Sequence, residues 1–344
     1  MSNDVQVINW MQNTFGESSR YFFELISVLG GPYGWLFVVP LVFWFAGSKA
    51  GLRVTLAICI AMIANTLLKW SIGQPRPYYV SDQVKALQLV DGFGMPSGHA
   101  QGVATQWCML AYSLRKSWCV WLALFFIIFT GASRVYLGVH SHQQVAIGWA
   151  LGLITVFITV RLEGTVVDWF RSKPFAIQFA CILGTTAAII VTGYAVAHVR
   201  SDQAVQLEWQ THWEETLDRL VLEDRAEADE TEFNLIRPPR IVMMACLFLG
   251  CSICGWWLLR TGEINPDSTR HRMANLAVGV PLLALIALVI RPQLNTLIGE
   301  TATLAAIAVT LPSMIGVVVP SLTLRLFAQS DGPTTRSDAG QQRE

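Results

Sequence analysis

Read for alternating apolar and polar positions, the chain divides into long apolar runs separated by short polar joints. Following a break at Gly30-Gly31-Pro32, nine runs are long enough, or nearly so, to cross a hydrocarbon layer of about 30 Å. They cover residues 34–48, 53–71, 98–114, 117–133, 143–161, 175–198, 241–259, 273–290 and 301–324. The first is short, and the last contains Pro312 and Pro320, which predict kinks rather than a stop. The pattern therefore predicts an all-α, polytopic membrane bundle of about nine helices.

Before the break, Val7, Met11 and Phe15 recur at helical spacing, as do Phe22, Leu25 and Leu29. Residues 1–33 are thus expected to form two short amphipathic helices lying in the membrane interface. The runs from 34 to 162 form a first unit, and 163–326 add further crossings. Between the sixth and seventh runs, residues 199–240 hold eleven of the 24 acidic residues against five arginines. Trp209, Trp213, Leu217 and Val221 draw one apolar stripe on that stretch. It predicts a helix that is either a lid beside a site or a solvated connector with one apolar face. Residues 327–344 are polar and predict a disordered tail.

Composition supports the membrane reading, with 53% hydrophobic and only 14% charged residues, against about 25% charged in soluble domains. Formal net charge is zero, which removes nucleic acid as a partner, and thirteen tryptophans suit interfacial belts. No cleavable signal peptide is expected. Cys251 and Cys254 form a CxxC inside an apolar run without a second pair, so they are expected to be small buried residues. Basic residues cluster on one set of joints: Lys49 and Arg53; Arg115 and Lys116; Arg161, Arg171 and Lys173; Arg260, Arg270 and Arg272; Arg325. That side is predicted to be cytoplasmic, and the opposite joints face outward.

Chemistry gathers on the opposite joints. Lys69 is followed by Arg76-Pro77, then Pro96-Ser97-Gly98-His99, then Ser133-Arg134 and His140. Arginine offers a planar fork and lysine a point charge to phosphate oxygens. A Pro-Ser-Gly-His helix start offers the amides of Ser97, Gly98 and His99, with the helix dipole behind them. Snorkelling would account for any one of these cations; three of them together with two histidines require a site. Only Asp82 and Asp91 are carboxylates between Lys69 and Gln144, too few hard ligands for a two-metal phosphatase. No metal or other cofactor is expected.

The spacing Lys-x6-Arg-Pro, Pro-Ser-Gly-His and Ser-Arg-x5-His resembles the type 2 phosphatidic acid phosphatase superfamily over roughly residues 55–160. The resemblance implies a metal-independent phosphatase. It implies that His140 attacks phosphorus to give a phosphohistidine and that His99 protonates the departing alcohol. Lys69, Arg76, Ser97, Gly98 and Arg134 would hold the phosphate. The family's closing Asp is Gln144 here, expected on the face of His140 if a helix has begun, where its amide oxygen can accept the ring N–H. The glucose-6-phosphatases share that Gln and nine crossings, which keeps a sugar phosphate open beside a lipid phosphate. The expected partners are therefore a lipid phosphate, isoprenoid pyrophosphate or other phosphorylated small molecule, and membrane lipids. A transferase using the same phosphohistidine, or a non-catalytic transporter, would also fit the fold. A bacterial inner membrane with the site facing the periplasm is the expected location. His142, two residues from His140, is outside the pattern, as are His198, His212 and His271.

Overall fold

A computed structural model describes residues 2–201, 207–223, 233–262, 264–265 and 268–330. The expected tail, 327–344, falls mostly outside them, as does much of the acidic 199–240 stretch. All the described regular structure is helical.

Two helices precede the break: α1 (Ser2–Phe15) and α2 (Arg20–Leu29). The core then follows as α3 (Pro32–Ala46), α4 (Ser48–Ile72), α5 (Gly98–Leu114), α6 (Ser117–Tyr136) and α7 (His142–Arg171). Beyond it come α8 (Phe175–Ser201), α9 (Leu207–Leu222) and α10 (Pro238–Thr261). The last two expected runs are each continuous but interrupted by a π-helical turn. Thr269–Ile298 comprises α11 (Thr269–Leu285), the turn Ile286–Ile290 and α12 (Arg291–Ile298). Glu300–Leu324 draws on α13 (Glu300–Ser313), the turn Met314–Val318 and α14 (Val319–Ser330). Pro281 and Pro312 lie just upstream of these turns. Pro292 and Pro320 stand just beyond the turns, and in each the amide just before the proline donates five residues back, Arg291 N to Ile286 O and Val319 N to Met314 O.

All nine apolar runs are helical, but the described residues give seven spans by length and composition, or eight with a bent pair. That pair joins α2 to α3 across Gly30-Gly31 at 52°. The other run that falls short, α5, has 17 residues and is largely buried. It packs against α4, α6 and α7 as the centre of the core. Gly148 and Gly152 of α7 make that packing close, because a Cβ there would meet Ser97 O at 2.6 Å and Gln101 O at 2.7 Å. This is the small-residue crossing of membrane helices, with two hydrogens where side chains would stand. Large apolar side chains on α6, α7 and α8, including Trp121, Phe157 and Val191, point outward, as a lipid-facing surface requires.

The apolar stripes of the first two helices lie differently in each. On α2 the stripe Phe22, Leu25 and Leu29 is exposed, whereas Arg20, Phe23, Ile26 and Ser27 face the core. On α1 the buried pair is Ile8 and Met11, and Phe15 is exposed. In an apolar surround the outward face is free to be apolar, and the inward face carries the polar groups that the interior needs. The stripe on α9 does face inward. Trp213 and Leu217 are buried, with Trp209 and Val221 partly so, against Tyr79, Val84 and Leu87. His212 adds a contact from Nδ1 to Tyr79 O at 2.8 Å and an ion pair to Asp82 at 2.6 Å. The helix therefore packs on the segment carrying Arg76-Pro77 rather than acting as a solvated connector. Cys251 and Cys254 are free thiols, fully buried in α10.

Candidate active site

Four helix ends meet at one end of the bundle. Lys69 lies in the last turn of α4, Arg134 in the last turn of α6, and His99 in the first turn of α5. His140 stands two residues before α7. The long joint from Gly73 to Ser97 lies over them, pinned by Leu87 N to Leu137 O (2.9 Å), Gly94 N to Gln74 O (2.7 Å) and Ser97 N to Gln144 O (3.1 Å).

Lys69 and Arg76 are fixed largely by backbone carbonyls of that joint, and Arg134 by side chains. Lys69 Nζ donates to Phe93 O at 2.7 Å. Arg76 donates to Gly92 O (2.9 Å), Asp91 O (2.8 Å) and Val139 O (3.0 Å). Its Nη1 is also 3.1 Å from His140 Nε2. Arg134 is wholly buried; Nη1 contacts Ser27 Oγ and donates to Gln88 Oε1, while Nε and Nη2 have no partner. Ser97 Oγ is likewise buried and unpaired. Burying an unsatisfied guanidinium costs several kcal/mol, on the order of the penalty for any uncompensated buried ion. Such orphaned donors mark a place where an anion belongs.

The hydrogen bonds also determine the state of His140. Gln144 Nε2 lies 3.0 Å from Pro75 O, a pure acceptor, so the amide nitrogen points there. Oε1 is then the atom 3.1 Å from His140 Nδ1, and it also accepts from Ser141 N at 3.3 Å. Nδ1 therefore carries the proton. On the other side Arg76 can only donate, so Nε2 is an unprotonated lone pair. Burial chiefly, then the charges of Arg76, Lys69 and Arg134, hold the imidazole well below its ordinary pKa, against a smaller opposing contribution from Gln144. The ring is neutral and only 2% exposed.

All eight residues singled out in the sequence lie at this end, with two changes of detail. Pro96 precedes the N-cap rather than opening the helix, because Ser97 caps α5. The Ser97 amide is also not available to a ligand, since it donates to Gln144 O. The amides of Gly98 and His99 belong to the first turn, which has no intrahelical acceptor for them. Residues without a sequence signal complete the surroundings. Ser27 and Gln88 hold Arg134, and Asn65 donates to Pro96 O (3.3 Å) and Gln101 Oε1 (2.9 Å), fixing the α5 start. Gly31 backs His99, for a Cβ there would sit 2.6 Å from the ring Nε2. The glycine break was visible in the sequence, but its closeness to a histidine 68 positions away was not. His142 instead pairs with Asp4 at 3.1 Å on the rim. A cleft of about 320 Å³ opens between α1 and the joint, with Asp4, Gln74, Pro75, Ser141 and Gln144 in its wall. Among the described residues, the one group with metal-ligand proximity is Asp82, His212 and Glu215, and it includes none of these eight.

Fold and site together define a class: a polytopic helical membrane protein with cations and imidazoles buried at one end of its bundle. A family model described as the PAP2 superfamily matches residues 50–168. An undecaprenyl-diphosphatase of Sulfolobus acidocaldarius is 30% identical over 142 residues, covering 41% of this chain and 68% of that protein. A dolichyldiphosphatase of Saccharomyces cerevisiae is 31% identical over 126 residues, 31% of this chain and 52% of the relative. Phosphatidylglycerophosphatase B of Bacillus subtilis is 29% identical over 165 residues, 45% of this chain and 74% of the relative. No solved structure matches. The chain belongs to the PAP2 superfamily, and it is a membrane enzyme of the phosphoric monoester hydrolase class. The matches cover at most about half of it, and all of α8 to α14 lies beyond the family model.

Proposed function

We propose that this enzyme removes the terminal phosphate of a lipid-borne phosphate or diphosphate, without a metal, through a phosphohistidine at His140. The observation that carries the reading is the pairing of a fixed Nε2 lone pair with orphaned donors on Arg134 and Ser97. The phosphate settles among Lys69, Arg76, Arg134, Ser97 Oγ and the Gly98 and His99 amides. Arg76 transfers its Nη1 donor from His140 to a phosphate oxygen, which frees Nε2 to attack. The Nε2–P bond forms, the P–O bond breaks, and His99 supplies a proton to the departing oxygen. His99 then takes a proton from water as it attacks phosphorus, and orthophosphate leaves. Positioning and charge neutralisation do most of the work in such a transfer.

Lipid-linked substrates are supported by the relatives' names, an undecaprenyl-diphosphatase and a dolichyldiphosphatase among them, and by a site at the end of membrane helices. In our reading that end faces outward, periplasmic in a bacterial inner membrane, because the basic joints lie at the other. Phosphate release from purified protein tests the proposal. With EDTA present, wild type should hydrolyse one or more of phosphatidic acid, phosphatidylglycerophosphate, undecaprenyl diphosphate and glucose 6-phosphate. His140→Ala should release nothing from any of them. Activity that persists in His140→Ala, or that EDTA abolishes, would sink the mechanism.

A further inference from the structure

The segment leading into α10 returns to the active-site joint from outside the matched family region. Leu235 O lies near Gly92, 3.6 Å from where a Cβ would be. Two residues later Arg237 Nε meets the carboxylate of Asp91 at 2.6 Å, and Arg240 Nη2 stands 3.9 Å from its other oxygen. Asp91 is the residue whose backbone carbonyl receives Arg76 Nη2 at 2.8 Å. Arg237 and Arg240 are therefore one residue removed from the cation that touches His140.

Charge balance shows what these arginines are in excess of. Lys69, Arg76 and Arg134 are the inner cations, and Asp91 joins them to the outer two, its backbone carbonyl taking Arg76 and its carboxylate facing Arg237 and Arg240. A bound phosphate dianion and one carboxylate leave two positive charges unmatched. Three inner cations against the dianion and two outer arginines against Asp91 leave one positive charge at each place, so the outer pair keeps a charge that Asp91 does not balance. Both outer side chains are about half exposed, 49% for Arg237 and 42% for Arg240, so a ligand can reach them. Asp91 takes one close contact from Arg237 and only a distant one from Arg240. The guanidinium donors that remain present a fork of the kind that binds phosphate oxygens.

We infer that Arg237 and Arg240 form an accessory anion subsite that receives the second phosphoryl group of a lipid diphosphate. This inference rests on the phosphatase reading above and specifies its substrate. In a diphosphate the two phosphoryl groups share one bridging oxygen, so the second must lie directly beside the first. The terminal phosphoryl occupies the inner cations, and the proximal one lies against the first turn of α10, whose axis carries on into the membrane with the lipid. His140 Nε2 bonds to the terminal phosphorus as the bond to the bridging oxygen breaks. The electron pair departs on the proximal phosphate, and the charge that develops there falls beside Arg237 and Arg240. Water then splits the phosphohistidine, so lipid diphosphate and water give lipid monophosphate and orthophosphate. A monoester has no group to place in the outer subsite, which makes the two arginines selective rather than general.

The experiment compares farnesyl diphosphate with farnesyl monophosphate, equal in chain and different by one phosphoryl group, on the full-length protein in detergent. Arg237→Gln, Arg240→Gln and the double variant are assayed beside wild type, and thermal unfolding verifies that each is folded. We expect kcat/KM for the diphosphate to fall about 10- to 100-fold in the double variant, in keeping with a lost charge-assisted contact, and that for the monophosphate to stay within about threefold. Inorganic pyrophosphate should inhibit wild type more strongly than orthophosphate does, and the double variant should lose that difference. Asp91→Asn separates the subsite from mere anchoring of α10, for it breaks the ion pairs while keeping both arginines. It should retain the preference for diphosphate. Equal losses on both substrates, or no loss on either, would overturn the subsite alone. Wild type that releases phosphate from neither would overturn the phosphatase reading, and the subsite with it.

Discussion

At position 144 a carboxylate would give His140 a full negative charge, whereas glutamine gives it an amide dipole and spends its own N–H on Pro75 O. Gln144→Glu should therefore stabilise the imidazolium, raise the pKa of His140 and move the acid limb of the pH–rate profile to higher pH. It also leaves Pro75 O without a donor, at about 1 kcal/mol. Gln144→Ala, which only removes the orienting acceptor, should lower kcat about 10- to 100-fold, in line with other outer-shell partners, without that shift of the limb. Arg134 gives a different kind of test. A wholly buried guanidinium with two unpaired nitrogens is a stability cost, which the proposed phosphate binding would explain. Arg134→Met should abolish phosphate release while leaving the melting temperature unchanged or raised. The motif residues were legible because chemistry restricts which side chains can do these tasks at that spacing. Ser27, Gln88 and Pro75 were not, because a hydroxyl, an amide or a carbonyl becomes a partner only when the fold brings it near.

Helices were legible wherever apolar runs were long, since burial in lipid and an internally paired backbone leave no alternative. Which face pointed inward was not. On α2 the apolar stripe faces outward, as an interfacial helix allows, and it gave no sign that Arg20 and Ser27 lie within. Hydrophobic periodicity reports the inside only when the outside is water, and here it worked for α9, which packs over the extramembrane joint. The π-helical turn of the last span followed from Pro312 and Pro320 only as far as a kink, and that of the span before it was not read at all. The α5–α7 crossing is where element packing bears on chemistry, since one helix carries His99 and the other begins beside His140. Gly152→Leu places a side chain where Gln101 O stands 2.7 Å from a mere Cβ. It should cost about 1–3 kcal/mol or more, as overpacking does, and be visible as a lower melting temperature with reduced activity. Gly31→Ala acts on the other side of His99 and should lower activity with a smaller change in melting temperature.

For the molecule as a whole, the site links stability to pH and to ligand. The folded state keeps His140 neutral well below the ordinary imidazole range, while the unfolded chain takes up a proton near pH ~6.5. The unfolded state then binds more protons, so stability is present above that value and is lost as pH falls through it. The melting temperature should drop between about pH 7 and pH 5.5, and less steeply in His140→Asn. Orthophosphate, binding only the folded form, should add about 2.7 kcal/mol at a hundred times its dissociation constant. Arg134→Met should erase that gain. Membrane character and the catalytic half of the chain were legible from composition and motifs. The stripe of α9 was legible as a lid or a connector, but the pairing of Arg237 and Arg240 with Asp91 was not, because a charged joint has no periodic signal for what it touches.

The crossing at Gly148 and Gly152 also affects how the protein would look to someone with no structure. In a saturating mutational survey scored by growth on activity, two residues that touch no phosphate would rank beside the histidines. Ala150 between them, which is exposed, would tolerate more. A map of essential positions made that way would outline a catalytic site that reaches down a helix, although its lower half is only the contact that sets where one imidazole stands relative to the other.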